Sequence, residues 1–178
     1  MYKRIVVPLD GSEIAEAALV EAEKMARMTG APIHLVRVID FNSKDFAASY
    51  GMLVEPSAIS VLLEDEAAAV RQYLKVIHAR IADQGFTVTS EVRRGTVYEQ
   101  IIATTRPGDM MVMASHGRSG IARWFLGSVA EEVVRRSNVP VLLLRTATKH
   151  EVGVNRITAA YPERVSLASS ARGTAIIS

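Results

Sequence analysis

The sequence predicts an α/β domain built on an open, five-stranded parallel sheet with helices on both faces. Two observations carry this. Strand-length apolar runs alternate with helical repeats in the order βαβ, then αβ three times over. One run, Met110-Met111-Val112-Met113-Ala114, is apolar throughout, the mark of a strand buried on both faces.

Arg4 to Leu9 forms the first strand and ends in the turn Asp10-Gly11-Ser12. Ser12 is placed to cap the next helix, where Ala15, Ala18, Leu19, Ala22 and Met25 recur at helical spacing up to Gly30. Pro32 to Val38 reads as the second strand, and residues 40–56 as a long polar and aromatic connection. From Ser57 to Gln84 the stripe Leu63, Ala67, Val70, Leu74, Ile77, Ile81 predicts a long amphipathic helix, with Gly85 as its C-cap. Thr87 to Val92 alternates as the third strand, and Val97 to Thr105 is a short helix stopped by Pro107-Gly108. After the Met110–Ala114 strand come a Gly-rich turn over Gly117 to Gly120, a helix from about Ser128, and a last strand over Val139–Leu144. Residues 147–178 carry no strong periodicity and are set apart as a C-terminal extension of a 1–146 domain.

Composition excludes several classes. With 49% apolar residues the chain has enough for a core. No stretch approaches the roughly 20 apolar residues of a membrane span, and no signal-peptide pattern opens the chain. There is no cysteine, so disulfides, thiol nucleophiles and Cys-based zinc sites are absent. The cytoplasm is the expected compartment. The net charge of +2 lies in the extension, which leaves 17 charges of each sign in residues 1–146. A neutral body argues against a nucleic-acid partner.

The informative stretch runs from Met113 through Ala114-Ser115-His116-Gly117-Arg118 to Gly127-Ser128. A buried strand ends there, small residues allow close backbone approach, and a helix N-terminus follows whose free N–H groups favour an anion such as phosphate. In open α/β sheets ligands sit outside the strand carboxyl ends. Each candidate also has a plainer role. Ser128-Val129-Ala130-Glu131 reads as a capping box. Asp10 fits either Mg²⁺ and nucleotide contacts or simple turn formation. Arg118 and Arg123 suit phosphate oxygens or solvent, and the ring of His116 suits a bond to the loop backbone. Trp124-Phe125-Leu126 suits packing, His34 a core position, and the Met110–Met113 methionines core filling. Phosphate-loop, dinucleotide, nucleophile-elbow and zinc-helix motifs are all missing from the sequence. These residues read as a binding module rather than a catalytic set.

Val6-Val7-Pro8-Leu9-Asp10-Gly11-Ser12 resembles the opening of the universal stress protein family. So does Ser115-His116-Gly117, nine residues, then Gly127-Ser128, with Val139-Pro140-Val141-Leu142 beyond. The resemblance covers residues 1–146 and implies a sheet of strand order 3-2-1-4-5. It further implies ATP, with Mg²⁺ at Asp10, bound by Pro8, Leu9, Asp10, Val38, Met113, Ala114, Gly117, Arg118, Gly127, Ser128 and Val129. Ala114 stands where the ATP-binding branch has the first glycine of its pattern, one methyl that could crowd a ligand or disfavour a positive φ. The function implied is a stress-response nucleotide switch or scaffold, with segments 40–56 and 118–126 as lids, unknown protein partners and at most slow ATP hydrolysis. Alternatives are a member that binds cyclic AMP or no ATP, and an enzyme of the nucleotidyl-transferase group, whose signatures the sequence lacks. Assembly is expected as a homodimer through Val139–Leu144, because an apolar edge strand invites pairing. The rival is that the extension folds back over that edge within one chain.

Overall fold

Among the described residues nine elements form where the sequence periodicities place them, and a tenth, a short strand in the extension, forms where none was expected. The computed structural model describes residues 1–40, 56–115, 126–145 and 157–160. The segments read as lids therefore lie almost wholly outside the described residues. Strand β1 spans Arg4–Pro8 and leads into helix α1, Glu13–Thr29. Ser12 caps α1 by accepting from the Ala15 N–H at 3.1 Å, and Gly30 closes it in the left-handed region at φ +70°. Strand β2 is Ile33–Ile39, helix α2 is Pro56–Ala82, and strand β3 is Val88–Arg94. Helix α3 is Val97–Thr104, strand β4 is Asp109–Ala114, and helix α4 is Ser128–Arg136. Strand β5 is Val141–Leu144 and strand β6 is Ile157–Ala160.

The first five strands are parallel in the order β3-β2-β1-β4-β5, as the sequence implied. The sheet then continues. Strand β6 pairs antiparallel with β5, placing Ile157 opposite Leu144 and Ala160 opposite Val141. This is the rival arrangement named above: a piece of the 147–178 extension joins the sheet beside β5 within one chain. The last strand is also shorter than expected. Val139 is held in a tight turn through the Ser137 hydroxyl, and Pro140, which has no N–H, gives only its carbonyl to Met111.

Alternation along the strands sorts the core into two layers. Ile5, Val7, Ile33, Leu35, Met110, Val112, Leu142 and Leu144 face α1 and α2, which contribute Ala15, Ala18, Leu19, Ala22, Leu74, Ile77 and Ile81. Met111, Met113, Val141 and Leu143 face the opposite way and pack with Ile101 of α3 and Ala130 and Val133 of α4. The five residues of Met110–Ala114 are buried, as the unbroken apolar run predicted, and Asp109 at the start of β4 is buried with them.

Polar groups enter this frame in two places. Arg4, at the start of β1, pairs with Asp109, at the start of β4, at 2.6 Å, and also donates to the Thr104 carbonyl. Higher up, the buried His34 ring lies 2.7 Å from the Thr89 hydroxyl and 3.2 Å from the Glu91 carboxylate, which also accepts from Thr104. His34 is a core residue, as read. Burial pushes its imidazole below the ordinary histidine value, outweighing the opposing pull of Glu91. Burial works upward on Glu91, but the bonds from His34 and Thr104 hold it below the ordinary carboxylate value.

Two outcomes follow. Asp109→Ala leaves the Arg4 guanidinium unpaired and should cost about 3–5 kcal/mol in denaturant unfolding. Because the His34 value is lowered on folding, the unfolded chain takes the proton first. The stability it contributes is present above the ordinary histidine value and is lost as pH falls below it. Thermal melting at about pH 7.5 and about pH 5 should show a smaller drop for His34→Gln than for the native chain. Equal drops would contradict this account.

Candidate functional site

Strand order reverses at β1, which has β2 on one side and β4 on the other. Crevices open at the carboxyl ends of strands at such a point, and here the chemistry of one residue shows why. Ile5 and Leu9 donate their N–H groups to Pro32 and Val36, on the β2 side. Alternate residues of a parallel strand turn to opposite neighbours, so Arg4, Val6 and Pro8 face β4. Pro8 has no N–H to give. The β1–β4 ladder accordingly ends at Val6 opposite Met111, whereas the β1–β2 ladder continues to Pro8 opposite Val36.

Around this opening the structure gathers most of the described candidates. Val38, half-buried, packs in one apolar cluster with Met113, Leu126 and Val129. Leu9 turns the other way, into the α1 layer, and its N–H is spent on the Val36 carbonyl. Its side chain therefore stands apart from Val38 and Met113. Ala114 is the last residue of β4, pairs with Leu144 and lies in extended backbone, so no positive φ is asked of it. By alternation its methyl projects to the α1 side, opposite Met113.

The Asp10 carboxylate accepts from both the N–H (2.9 Å) and the hydroxyl (2.6 Å) of Ser12. Of its two readings, turn formation is therefore present in the geometry. Among the described residues no cluster of three His, Cys, Asp or Glu side chains could hold a metal ion. Of the candidates among the described residues, only Asp10 offers a cation a carboxylate here, and phosphate oxygens and water would supply further ligands.

Helix α4 begins differently from the expected capping box. Gly127 occupies the N-cap, and Ser128 is the first helical residue. Glycine has no side chain to accept from the first-turn N–H groups of Ser128, Val129 and Ala130, so among the described residues the positive end of the helix dipole has no side-chain cap. Its position is fixed by backbone bonds. Gly127 N–H donates to the Ser115 carbonyl at 2.9 Å, and Ser115 N–H donates to the Leu144 carbonyl at 2.8 Å. Gly117 and Arg118, with His116, Arg123, Trp124 and Phe125, lie outside the described residues.

Three residues matter here that the sequence reading did not single out for the site. Ser115, 2% exposed, joins β4, β5 and the start of α4. Gly11 holds the β1–α1 turn at φ +82°, where a Cβ would meet Arg37 Nη1 at 2.5 Å. Arg37 is buried in β2 and stacks its guanidinium 5.4 Å from the Tyr73 ring centroid. The signal for Arg37 was a lone cation inside Leu-Val-Arg-Val-Ile; the signal for Gly11 was Asp-Gly-Ser after a strand.

Residues 1–145 match the Universal stress protein family. The chain belongs to that family. Universal stress protein MJ0531 of Methanocaldococcus jannaschii is 30% identical over 153 residues, spanning 84% of this chain and 85% of the relative. A second protein of that organism, universal stress protein MJ0577, is 29% identical and spans 82% and 96%. The solved structure of MJ0577 superposes with a TM-score of 0.70 at 28% identity, covering 84% of this chain and 99% of that one. UspA from Lactobacillus plantarum gives 0.67 at 25% identity, covering 80% and 97%. A universal stress protein crystallised in complex with cAMP shares the fold, with a TM-score of 0.58 at 24% identity over 82% of this chain and 99% of that one.

Gly11→Ala tests the turn beneath this site. It forces an L residue into the left-handed region and against Arg37, and should cost on the order of 1–2 kcal/mol in equilibrium unfolding. Gly85 also has a positive φ but nothing within 4 Å of its Cβ position, so Gly85→Ala isolates the backbone part. A Gly11→Ala cost no larger than that of Gly85→Ala would mean the Arg37 contact carries no weight.

Proposed function

We propose that this universal stress protein binds ATP in the crevice between the carboxyl ends of β1 and β4. It then acts as a nucleotide-dependent switch in a stress response, in the cytoplasm. The single observation that carries the reading is the start of α4: a helix N-terminus with glycine at its N-cap, tied through Ser115 to the strand ends. Such a terminus accommodates a phosphate by offering its N–H groups and dipole. Val38, Met113 and Val129 supply an apolar wall for an adenine ring. Pro8 and the Asp10 turn border the opposite side, and Ser128 offers a hydroxyl to phosphate oxygens. From the segment beyond β4 the family resemblance adds Gly117 and Arg118, and Mg²⁺ would neutralise phosphate charge beside Asp10. The Ala114 methyl, directed to the other face of the sheet, leaves this side open. Metal-bound or metal-free, the chain's own residues bind and orient the nucleotide.

A cyclic nucleotide is the second reading, favoured by the relative crystallised with cAMP. Mass spectrometry of the nucleotide that co-purifies with the native protein separates the two by mass. Calorimetry with Gly127→Asp then tests the site itself. An aspartate at the N-cap accepts from the first-turn N–H groups and suits the dipole, so the helix keeps or gains a few tenths of a kcal/mol. The same carboxylate occupies and repels the phosphate position, so ATP binding should fall below detection while the melting temperature holds. Equal ATP affinity in both proteins would end the proposal.

A further inference from the structure

Burying a charge is costly, yet Arg37 is buried in β2 within the apolar run Leu35-Val36-Arg37-Val38-Ile39. Its parity fixes the face it serves. Ile33 and Leu35 belong to the layer under α1 and α2, and Val38 to the opposite layer. Arg37 therefore projects towards α1 and α2. The pairing of Pro8 with Val36 sets it level with Leu9, one residue short of the Asp10 turn. Its guanidinium lies against that turn: Nη1, Cζ and Nη2 are 2.5, 3.3 and 3.4 Å from the Cβ position of Gly11. The same group stands 5.4 Å from the centroid of the Tyr73 ring.

The turn it faces is acidic. Asp10 precedes Gly11, and Glu13 and Glu16 lie in the first turn of α1. Glu16 accepts from the Tyr73 hydroxyl at 3.0 Å and pairs with Arg80 at 3.4 Å. Burial pushes the Tyr73 phenol up, Glu16 and Asp10 add to that, and Arg37 opposes them. Charges of both signs thus surround one ring, and Asp10 and Arg37 both act on it. Asp10 also borders the proposed nucleotide crevice, where phosphates bring further negative charge. The guanidinium points away from that crevice. Val38, Met113, Val129 and helix α4 belong to the other face of the sheet. Its charge reaches the nucleotide through the turn between them.

We propose that Arg37 is a positioning residue for the nucleotide: from behind the turn it offsets the charge of Asp10, so that a carboxylate can border a phosphate-bearing ligand. This role rests on the proposed ATP site. A bound Mg²⁺ supplies the same compensation from the ligand's side, so Arg37 matters most for metal-free ATP.

Calorimetry on the full chain and on Arg37→Met, with ATP in chelator, ATP with Mg²⁺, and adenosine, tests this. Methionine keeps an unbranched apolar stem and removes the charge. Affinity for metal-free ATP should fall about tenfold or more, and for ATP with Mg²⁺ by less. Adenosine has no phosphate, and its affinity should change by no more than about twofold. Arg37→Lys should keep the native order of affinities. On an Asp10→Asn background, adding Arg37→Met should lower metal-free ATP binding by only about twofold. If the melting temperature shows that Arg37→Met does not fold, Arg37→Gln takes its place. Unchanged binding of metal-free ATP would overturn the proposal. So would an equal loss for all three ligands, the mark of a collapsed turn, or an equal loss with and without the Asp10 carboxylate. A native chain that binds no ATP would overturn the ATP reading itself, and this role with it.

Discussion

Pro8 has no N–H, and that missing donor decides where the sheet opens. In a parallel sheet each residue of β1 addresses one neighbour only, and Pro8 falls on the β4 side. Had residue 8 carried a donor, the β1–β4 ladder could continue beyond Val6 and Met111. Because it does not, the strands part at the point where the chain order reverses, and most of the described candidates lie around that gap. Leu9 returns its N–H to β2, Asp10 folds the chain over Ser12, and Ser115 holds the start of α4 against the far side. One constraint of backbone chemistry thus sets where the β1–β4 ladder ends and which elements border that point.

Strand alternation decides what faces the gap. Val38 and Met113 belong to the layer under α3 and α4, together with Val129. Leu9 belongs to the α1 layer, and Ala114 shares its parity with Met110 and Val112 of that layer. A departure from the family's glycine at position 114 therefore has a different cost on this chain than a motif comparison suggests. The added methyl is absorbed by the side that is already packed, and the extended backbone of β4 accepts alanine without strain. A change of one methyl at Met113 or Gly127, in the other layer, would bear on the crevice directly.

Much of the fold was legible because its signals are periodic. The α2 stripe, the apolar β4 and the Ser12 and Gly30 caps each follow from local spacing, and the elements formed within a few residues of the expected bounds. What escaped was relational. Ile-Thr-Ala-Ala has no period of its own, and it becomes a strand only because β5 presents an unpaired backbone row. Ser128 was read as a cap from its Ser-x-x-Glu spacing, yet Gly127 took the N-cap once its N–H found the Ser115 carbonyl. Arg37, a lone cation in an apolar strand, has its reason in Tyr73 on another element and in the left-handed turn at Gly11. In each case the deciding partner is distant in sequence.

The Arg4–Asp109 pair, with Asp109 buried and Arg4 partly so, sits at the opposite end of the sheet from the crevice. Taking two charges out of water is costly, and an apolar pair of similar volume would often serve stability equally well. What the pair adds here is register. Arg4 lies opposite Asp109, so the same pairing carried up the strands sets Pro8 level with Met113. A slip of one residue would leave Asp109 buried without Arg4 and would exchange the two faces of β4. Met113 would then turn to the α1 layer, and the missing donor would no longer fall beside the end of β4. The ion pair at the amino end of the sheet thereby holds the opening at its carboxyl end in place.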